Sequence, residues 1–200
     1  MPGEIFVVSA ASGTGKTTLL KLLLNREPRL RFSISYTTRP PRPGEVQGQD
    51  YFFVSQEEFQ RLKDWGALVE YVEQFGYWYG TSREWVMQTL SQGYDLIFDV
   101  DTRGAHALKH GFPRATFIFI LPPDLKTLEQ RLKGRKDMPE DELARRLHQG
   151  RRELAEALWY DYMVVNDDLT EALSQLQAII RAVHCRTSTL CPQVANRFIP

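Results

Sequence analysis

The chain has no excess of charge of either sign. Its 200 residues include 25 basic and 25 acidic side chains, so the formal net charge is zero. A balanced charge provides no broad attraction to nucleic acid or to an anionic membrane, and we predict neither as a partner. Positive charge must therefore be local if the protein binds phosphate groups.

Cysteines are scarce and long apolar runs are absent. The two cysteines, Cys185 and Cys191, are too few and too close together for a disulfide framework or a zinc site. No apolar run reaches the length of a membrane span, and the N-terminal residues lack the basic segment of a secretory signal. We therefore expect a cytoplasmic protein, with the ordinary globular balance of 42% hydrophobic and 25% charged residues.

Strand and helix patterns alternate along the chain. Near-continuous apolar runs, typical of strands buried on both faces, occupy residues 5–9, 96–100 and 116–121, and a shorter run occupies 162–165. Helical patterns follow at 125–133, with Asp124 as its cap, and at about 169–183. The alternation predicts an α/β fold, a three-layer core around a parallel sheet.

Two stretches interrupt this alternation. Residues 33–93 contain prolines and short aromatic segments, which predict an inserted α+β lobe of short antiparallel strands. Residues 125–158 are helical in pattern and rich in arginine, which predicts a mobile lid. The core would then comprise 1–32, 94–124 and 159–184, and the aperiodic residues 185–200 would form a C-terminal tail.

Residues 10–17, Ala-Ala-Ser-Gly-Thr-Gly-Lys-Thr, lie between an apolar strand and a leucine-rich helix. This context and spacing predict a phosphate-binding loop, although an alanine replaces the leading glycine of the pattern. Lys16 would reach the outer phosphates and the Thr17 hydroxyl would hold Mg²⁺. The alternative is a tight strand-to-helix turn that needs glycine only for its backbone. The residues assigned to nucleotide binding are Ala11, Ser12, Gly13, Thr14, Gly15, Lys16, Thr17 and Thr18.

Asp99 and Asp101 lie at the carboxyl end of the second apolar run, which the sequence places at 96–100. Ligands of open α/β sheets bind beyond the carboxyl ends of the strands, where an aspartate can hold Mg²⁺. We assign Asp99 to the metal. The alternative is a pair of turn-forming aspartates before Gly104.

Arg39 and Arg42 lie three residues apart in a proline-rich segment, 35–45. Proline lowers the cost of ordering a binding loop, and two guanidinium groups suit a phosphate monoester. The alternative is a solvated turn with exposed arginines.

Six segments, in this order, make the chain resemble the guanylate kinase family: 12–17, 35–45, 48–54, 79–82, 99–104 and 166–169. The likeness runs from about residue 5 to residue 183. It implies phosphoryl transfer from ATP to GMP, and to dGMP, with Mg²⁺, and a core with a GMP-binding lobe and a closing lid. The sequence leaves the oligomeric state open.

The resemblance also assigns individual residues. It implies that the GMP phosphate is held by Arg39, Arg42, Tyr51 and Tyr79, and that guanine is contacted by Ser35, Glu70, Thr81 and Asp101. The chemistry agrees, because guanine offers N1–H and N2–H₂ donors that suit a carboxylate and an O6 acceptor that suits a hydroxyl. Adenine would leave these groups unpaired, which is a strong source of discrimination.

The lid and the ATP end resemble the family more loosely. Arg131, Arg135, Arg146 and Arg152 are candidates for closing on the transferred group, and Arg135 and Arg146 correspond best. The residues assigned to catalysis are Lys16, Arg42, Arg135 and Arg146, and Asn166 resembles the residue that contacts adenine. The chain departs from the family at Ala10-Ala11, where Gly-Pro is usual, and at 134–139.

Two other functions are compatible with parts of this pattern. One is a non-catalytic module that binds a phosphopeptide in the GMP lobe, which would need neither Lys16 nor Thr17. The other is a small-molecule kinase with another phosphate acceptor, which would not need the set that contacts guanine.

Overall fold

The computed structural model describes residues 2–74, 76–134, 140–187 and 189. The strands in these ranges are β1 Ile5–Ala10, β2 Leu30–Phe32, β3 Ser35–Thr37, β4 Phe52–Phe53, β5 Leu68–Gln74, β6 Tyr77–Ser82, β7 Asp95–Asp99, β8 Thr116–Leu121 and β9 Tyr162–Val165. The helices are α1 Lys16–Arg26, α2 Gln56–Asp64, α3 Arg83–Ser91, α4 Thr102–Gly111, α5 Leu125–Lys133, α6 Glu140–Ala155 and α7 Leu169–His184, with a short 3₁₀ helix at Glu156–Trp159. In this part of the chain no helix combines the length and the apolarity needed to span a membrane.

The larger sheet has five strands in the order β2-β7-β1-β8-β9. The pairs β2–β7 and β8–β9 are parallel, which confirms the predicted α/β class. The apolar run that forms β8 is buried along almost its whole length, as a strand covered on both faces should be. Sequence patterns did not identify β2, because its three residues are too few to show a period.

By its contacts the chain divides into two units. The first unit contains residues 8–29 and 116 onward, with α1, β8, α5, α6, β9 and α7. Helix α5 begins after Asp124, whose side chain accepts from the Thr127 N–H at 2.6 Å, as the sequence predicted. Helix α7 packs against α1, and Gln177 of α7 donates to Glu27 at 2.7 Å. The first unit thus joins the phosphate-binding motif to the arginine-rich helices.

The second unit contains residues 2–7 and 30–115. Its smaller sheet has the order β4-β3-β6-β5, with β6 antiparallel to both β3 and β5. The β3–β4 pair is parallel, against the expectation of antiparallel strands only, because residues 38–51 form a crossover between them. Helix α2 starts with a capping box, in which Ser55 and Glu58 satisfy each other's backbone N–H groups.

Candidate functional site

The phosphate-binding motif forms the turn between β1 and α1. Gly13 and Gly15 have φ values of 95° and 90°, in the left-handed region that favours glycine. Gly15 directly precedes α1, and its carbonyl accepts the N–H of Leu19 at 3.1 Å. The glycine spacing in the sequence therefore corresponds to two backbone positions that side chains would strain.

Polar side chains occupy the first turn of α1. Lys16 is half-buried at the first position, and Thr17 and Thr18 are exposed. The N-terminus of a helix carries unpaired N–H groups and a positive potential, both of which favour phosphate. The residues predicted to hold phosphates and Mg²⁺ thus lie at the N-terminus of α1, where the helix stabilises an anion.

Asn166 follows β9 and lies directly against this loop. Its side chain is buried, and Nδ2 donates to the carbonyl of Thr14 at 2.6 Å. An ideal Cβ at Gly15 would lie 2.7 Å from the same Nδ2. Gly15 therefore lacks a side chain for two reasons, its backbone conformation and the approach of Asn166.

Helix α6 brings one lid arginine to the loop. Nη1 of Arg146 donates to Oγ of Ser12 at 3.4 Å. Arg152 is exposed on the same helix. Arg135, the other assigned lid arginine, lies outside the described residues. Of the two assigned lid arginines, the structure therefore places Arg146 beside a residue of the phosphate loop.

Helix α5 contributes a different arginine. Nη1 of Arg131 donates to the carbonyl of Thr14 at 3.2 Å and to the carbonyl of Asn166 at 3.0 Å. The sequence offered Arg131 only as one of four lid candidates. The structure makes it the side chain that connects α5, the phosphate loop and the residue after β9.

Ala11 packs into a small apolar cluster. It is 2% exposed and clusters with the buried Leu128 and Leu132 of α5. Leu147 and Leu154 of α6 pack against this cluster. Ala11, one of the two alanines at which the chain departs from the pattern it resembles, is thus a packing contact between the loop and the arginine-bearing helices.

In the second unit, three predicted guanine contacts form one row across β3, β6 and β5. Ser35 pairs with Thr81, and Thr81 pairs with Glu70 across a bulge that follows Leu68. Thr81 Oγ1 donates to Glu70 Oε1 at 2.8 Å and lies 3.4 Å from Ser35 Oγ. The row presents two hydroxyls and a carboxyl group, the set expected for guanine.

Burial raises the pKa of Glu70 to about 7, and the charge of Asp101 adds to the rise, while the hydrogen bond from Thr81 opposes it. The group therefore gains or loses its proton near neutral pH. Only the ionised form accepts hydrogen bonds with both oxygens.

Asp101 has a structural contact of its own. It caps α4, with Oδ1 accepting the Gly104 N–H at 2.8 Å. Oδ2 accepts from Gln74 Nε2 at 3.5 Å and from Arg103 at 3.4 Å. One carboxylate oxygen of Asp101 therefore has the turn-forming role that was the alternative prediction. Asp99 lies exposed at the end of β7.

Arg39 is held in place by Glu45. Its Nη2 donates to both carboxylate oxygens, at 2.8 and 2.9 Å, and its Nη1 donates to the carbonyl of Pro40 at 2.8 Å. The Glu45 hydrogen bond raises the pKa of Arg39, and the same contact lowers the pKa of Glu45. Glu45 also accepts the backbone N–H of Arg42 at 2.7 Å, so it ties the two arginine positions together.

Two tyrosines stand beside this pair. The rings of Tyr51 and Tyr79 are 6.0 Å apart, and the Arg39 guanidinium lies 5.3 Å from the centre of the Tyr51 ring. Burial raises the pKa of Tyr51, so its phenol remains a hydrogen-bond donor. The structure brings together three of the four predicted phosphate contacts, and the fourth, Arg42, has an exposed side chain.

Sequence reasoning assigned no role to Glu45 or Gln74. Glu45 lies in 35–45, one of the six segments that carry the resemblance. Its position as a lone acidic residue in an arginine-rich loop was the signal that could have indicated an ion pair. Gln74 carried no comparable signal, because its contact with Asp101 depends on how β5 and α4 pack.

The comparisons with known proteins agree on one family. The family model described as Guanylate kinase matches residues 3–183. The chain is 42% identical over 196 residues to a guanylate kinase of Geobacter sulfurreducens, covering 98% of this chain and 97% of the relative. It is 46% identical over 186 residues to a guanylate kinase of Neisseria gonorrhoeae, covering 93% and 91%. The solved structure of a guanylate kinase from Anaplasma phagocytophilum is similar with a TM-score of 0.77 at 30% identity, covering 98% of this chain and 96% of that one.

Proposed function

Because this chain belongs to the guanylate kinase family, we propose that it transfers the γ-phosphoryl group of ATP to GMP or dGMP, giving ADP and GDP or dGDP. The observation that carries the choice of acceptor is the row of Ser35, Thr81 and Glu70, in which Thr81 and Glu70 are buried and Ser35 is half-buried. A carboxyl group this well enclosed requires donors, and guanine presents them on one edge.

In this proposal the ionised Glu70 accepts from N1–H and N2–H₂ of guanine, and Ser35 donates to O6. AMP has no N1–H and carries a donor where guanine has O6, so it would leave both groups unpaired. Buried polar groups left without partners discriminate by roughly 10⁴–10⁵. Asp101 would contribute charge beside Glu70 while its other oxygen caps α4.

The GMP phosphate would be held by Arg39, Arg42, Tyr51 and Tyr79. Support comes from Arg39, which is 8% exposed and already oriented by Glu45. A guanidinium group held in place loses little freedom when it binds an anion.

The ATP phosphates would be held by the loop N–H groups and by Lys16, with Asn166 beside the loop and reaching adenine as the family resemblance implies. The Thr17 hydroxyl and the Asp99 carboxylate would hold Mg²⁺, and both supply the oxygen ligands that this ion prefers. When bound, Mg²⁺ would neutralise charge on the phosphate oxygens.

The reaction needs no nucleophile from the protein. A phosphate oxygen of GMP forms a bond to the γ-phosphorus as the bond to the β–γ bridging oxygen breaks, and ADP leaves with that electron pair. Lys16, Arg146 and Arg42 would stabilise the negative charge on the oxygens of the phosphoryl group while it is transferred. Arg135 belongs to the same proposed set.

We further propose a P-loop core, a GMP-binding lobe at 33–93 and a lid at 125–158 whose closure excludes water, which would limit ATP hydrolysis. A cytoplasmic location is also part of the proposal, and the free, exposed thiol of Cys185 is compatible with a reducing compartment.

A substrate panel tests the activity directly. ADP formation from Mg-ATP would be measured with GMP, dGMP, AMP, CMP and UMP offered separately. We expect turnover with GMP and dGMP, and kcat/KM for AMP lower by roughly 10⁴ or more. No turnover with GMP would reject the proposal.

Matched variants test the catalytic assignments. Lys16→Met is compared with Lys21→Met, which removes an exposed charge from the same helix, and Arg146→Ala with its exposed neighbour Arg145→Ala. We expect kcat to fall at least about 100-fold in the first member of each pair only. Equal kcat values within a pair would remove that residue from the mechanism.

A further inference from the structure

The carbonyl oxygen of Thr14 is held from two sides. It accepts Nδ2 of Asn166 at 2.6 Å and Nη1 of Arg131 at 3.2 Å. The same Nη1 donates to the carbonyl of Asn166 at 3.0 Å, so the three residues form a closed set of hydrogen bonds. All of them belong to the first unit.

This set determines the direction of one backbone N–H. The described residues contain no cis peptide, and in a planar trans peptide the C=O and N–H point in opposite directions. With the Thr14 carbonyl directed at Asn166 and Arg131, the N–H of Gly15 must point away from both. This N–H donates to none of the described residues, and it precedes the positive end of α1.

The two donors are themselves well anchored. Asn166 is 5% exposed, and its backbone N–H donates to the Leu121 carbonyl at 2.8 Å. Arg131 lies on α5, and the next residue of this helix, Leu132, packs closely against Gly13 of the loop. A Cβ added at Gly13 would lie 3.0 Å from the side chain of Leu132. The Thr14–Gly15 peptide is therefore held by parts of the structure that have little freedom to shift.

We propose that Arg131 and Asn166 are positioning residues, which orient the Thr14–Gly15 peptide so that the Gly15 N–H meets a phosphate oxygen of ATP. The inference rests on the proposed function, because it takes ATP as the phosphoryl donor. The resemblance gives Asn166 a contact with adenine, whereas these bonds give it a role at the phosphate end of the nucleotide. The two roles predict different losses of binding.

Calorimetric titrations with inorganic tripolyphosphate, adenosine and ATP separate them, since tripolyphosphate has no base and adenosine has no phosphate. The variants are Asn166→Asp, which replaces the Nδ2 donor, and Arg131→Met, which removes the guanidinium and keeps much of the volume. We expect Kd for tripolyphosphate and for ATP to rise by the same factor, roughly tenfold, while Kd for adenosine changes little. An unchanged Kd for tripolyphosphate in Asn166→Asp would overturn the positioning role.

The loss of one positive charge needs its own control. Lys133→Met removes a charge from the same helix, where the side chain is exposed and pairs with Glu129 at 2.6 Å. We expect this variant to bind tripolyphosphate nearly as well as the unmodified protein. If Arg131→Met were no weaker than Lys133→Met, the inference would be wrong for Arg131.

A measurement on the unmodified protein does not depend on variants that fold. In ¹H–¹⁵N spectra, the Gly15 amide proton should shift downfield when tripolyphosphate is added, as expected for a new hydrogen bond to an anion. A Gly15 signal that does not move while tripolyphosphate binds would contradict the inference. Failure of tripolyphosphate to bind at all would instead contradict the proposed ATP site.

Discussion

The hydroxyl group of Thr81 donates a 2.8 Å hydrogen bond to Oε1 of Glu70, a carboxyl group that is only 7% exposed. A hydroxyl has a single proton, so the proton of Thr81 is committed to Glu70. The contact of 3.4 Å between Ser35 and Thr81 is then a long bond donated by Ser35. We expect Ser35 to turn this proton towards O6 of guanine when GMP binds.

The pKa of Glu70, about 7, predicts a pH-dependent affinity for GMP. Guanine donors meet a carboxylate only in the ionised form, so affinity should rise between about pH 6 and about pH 8. The rise should be absent in Glu70→Gln. The Kd of each protein for GMP is measured by calorimetry at each pH, and the Kd of Glu70→Gln is divided by that of the unmodified protein. Because the GMP phosphate, which titrates near pH 6, affects both proteins alike, its effect drops out of this ratio.

Glu73→Gln is the matched control, since Glu73 is exposed on the same strand. It should keep the pH dependence of the unmodified protein. A flat ratio between the unmodified protein and Glu70→Gln across this range would show that Glu70 does not recognise the base.

The same buried group predicts how stability depends on pH. Folding raises the pKa of Glu70 from 4.5 to about 7. The protonated side chain therefore contributes fully to the stability of the folded state below pH 4.5, the pKa in the unfolded chain, and this contribution is lost as the pH rises through about 7, the pKa in the folded protein. Glu70→Gln, which needs no buried charge, should therefore be more stable than the unmodified protein near pH 8, by on the order of 2–3 kcal/mol, and similar to it near pH 4. Urea unfolding at both pH values measures this, and equal stabilities near pH 8 would contradict the raised pKa.

Glu45→Gln should weaken the binding of GMP and leave that of ATP unchanged. Arg39 would lose its charged partner and the orientation that two hydrogen bonds provide. We expect KM for GMP to rise roughly tenfold, the value of one charge-assisted hydrogen bond. Steady-state kinetics with each substrate varied in turn provides the measurement, with the exposed Glu84→Gln as control. A KM for GMP equal to that of the control would show that Arg39 needs no partner.

Gly15→Ala and Gly76→Ala separate backbone strain from steric contact. Both glycines have positive φ values, 90° and 78°, but a Cβ at Gly76 meets nothing within 4 Å. Gly76→Ala should cost about 1 kcal/mol of stability and leave turnover unchanged. Gly15→Ala should also raise KM for ATP at least about tenfold, because its methyl group would collide with Asn166. If KM for ATP were equal in the two variants, Gly15 would be required only for its backbone conformation and not for the close approach of Asn166.

Local patterns predicted much of the fold. The strand at 116–121 and the helix at 125–133 have the predicted bounds, because an apolar run and a helix cap are properties of neighbouring residues. The loop glycines were predictable for the same reason, since a positive φ depends on the residue itself. Three-residue β2 carried no such pattern, and it forms because β7 offers it a partner.

The sequence by itself determined the family, because the spacing of six segments along the chain identifies it, and it predicted which groups would bind phosphate and guanine. Only the tertiary structure decided what those groups touch. Glu70 meets Thr81 through a bulge in a strand pair, and Asn166 meets Thr14 across 152 positions of the chain. Such contacts depend on strand register and packing, and the hydrogen bonds and raised pKa values that follow from burial depend on them in turn.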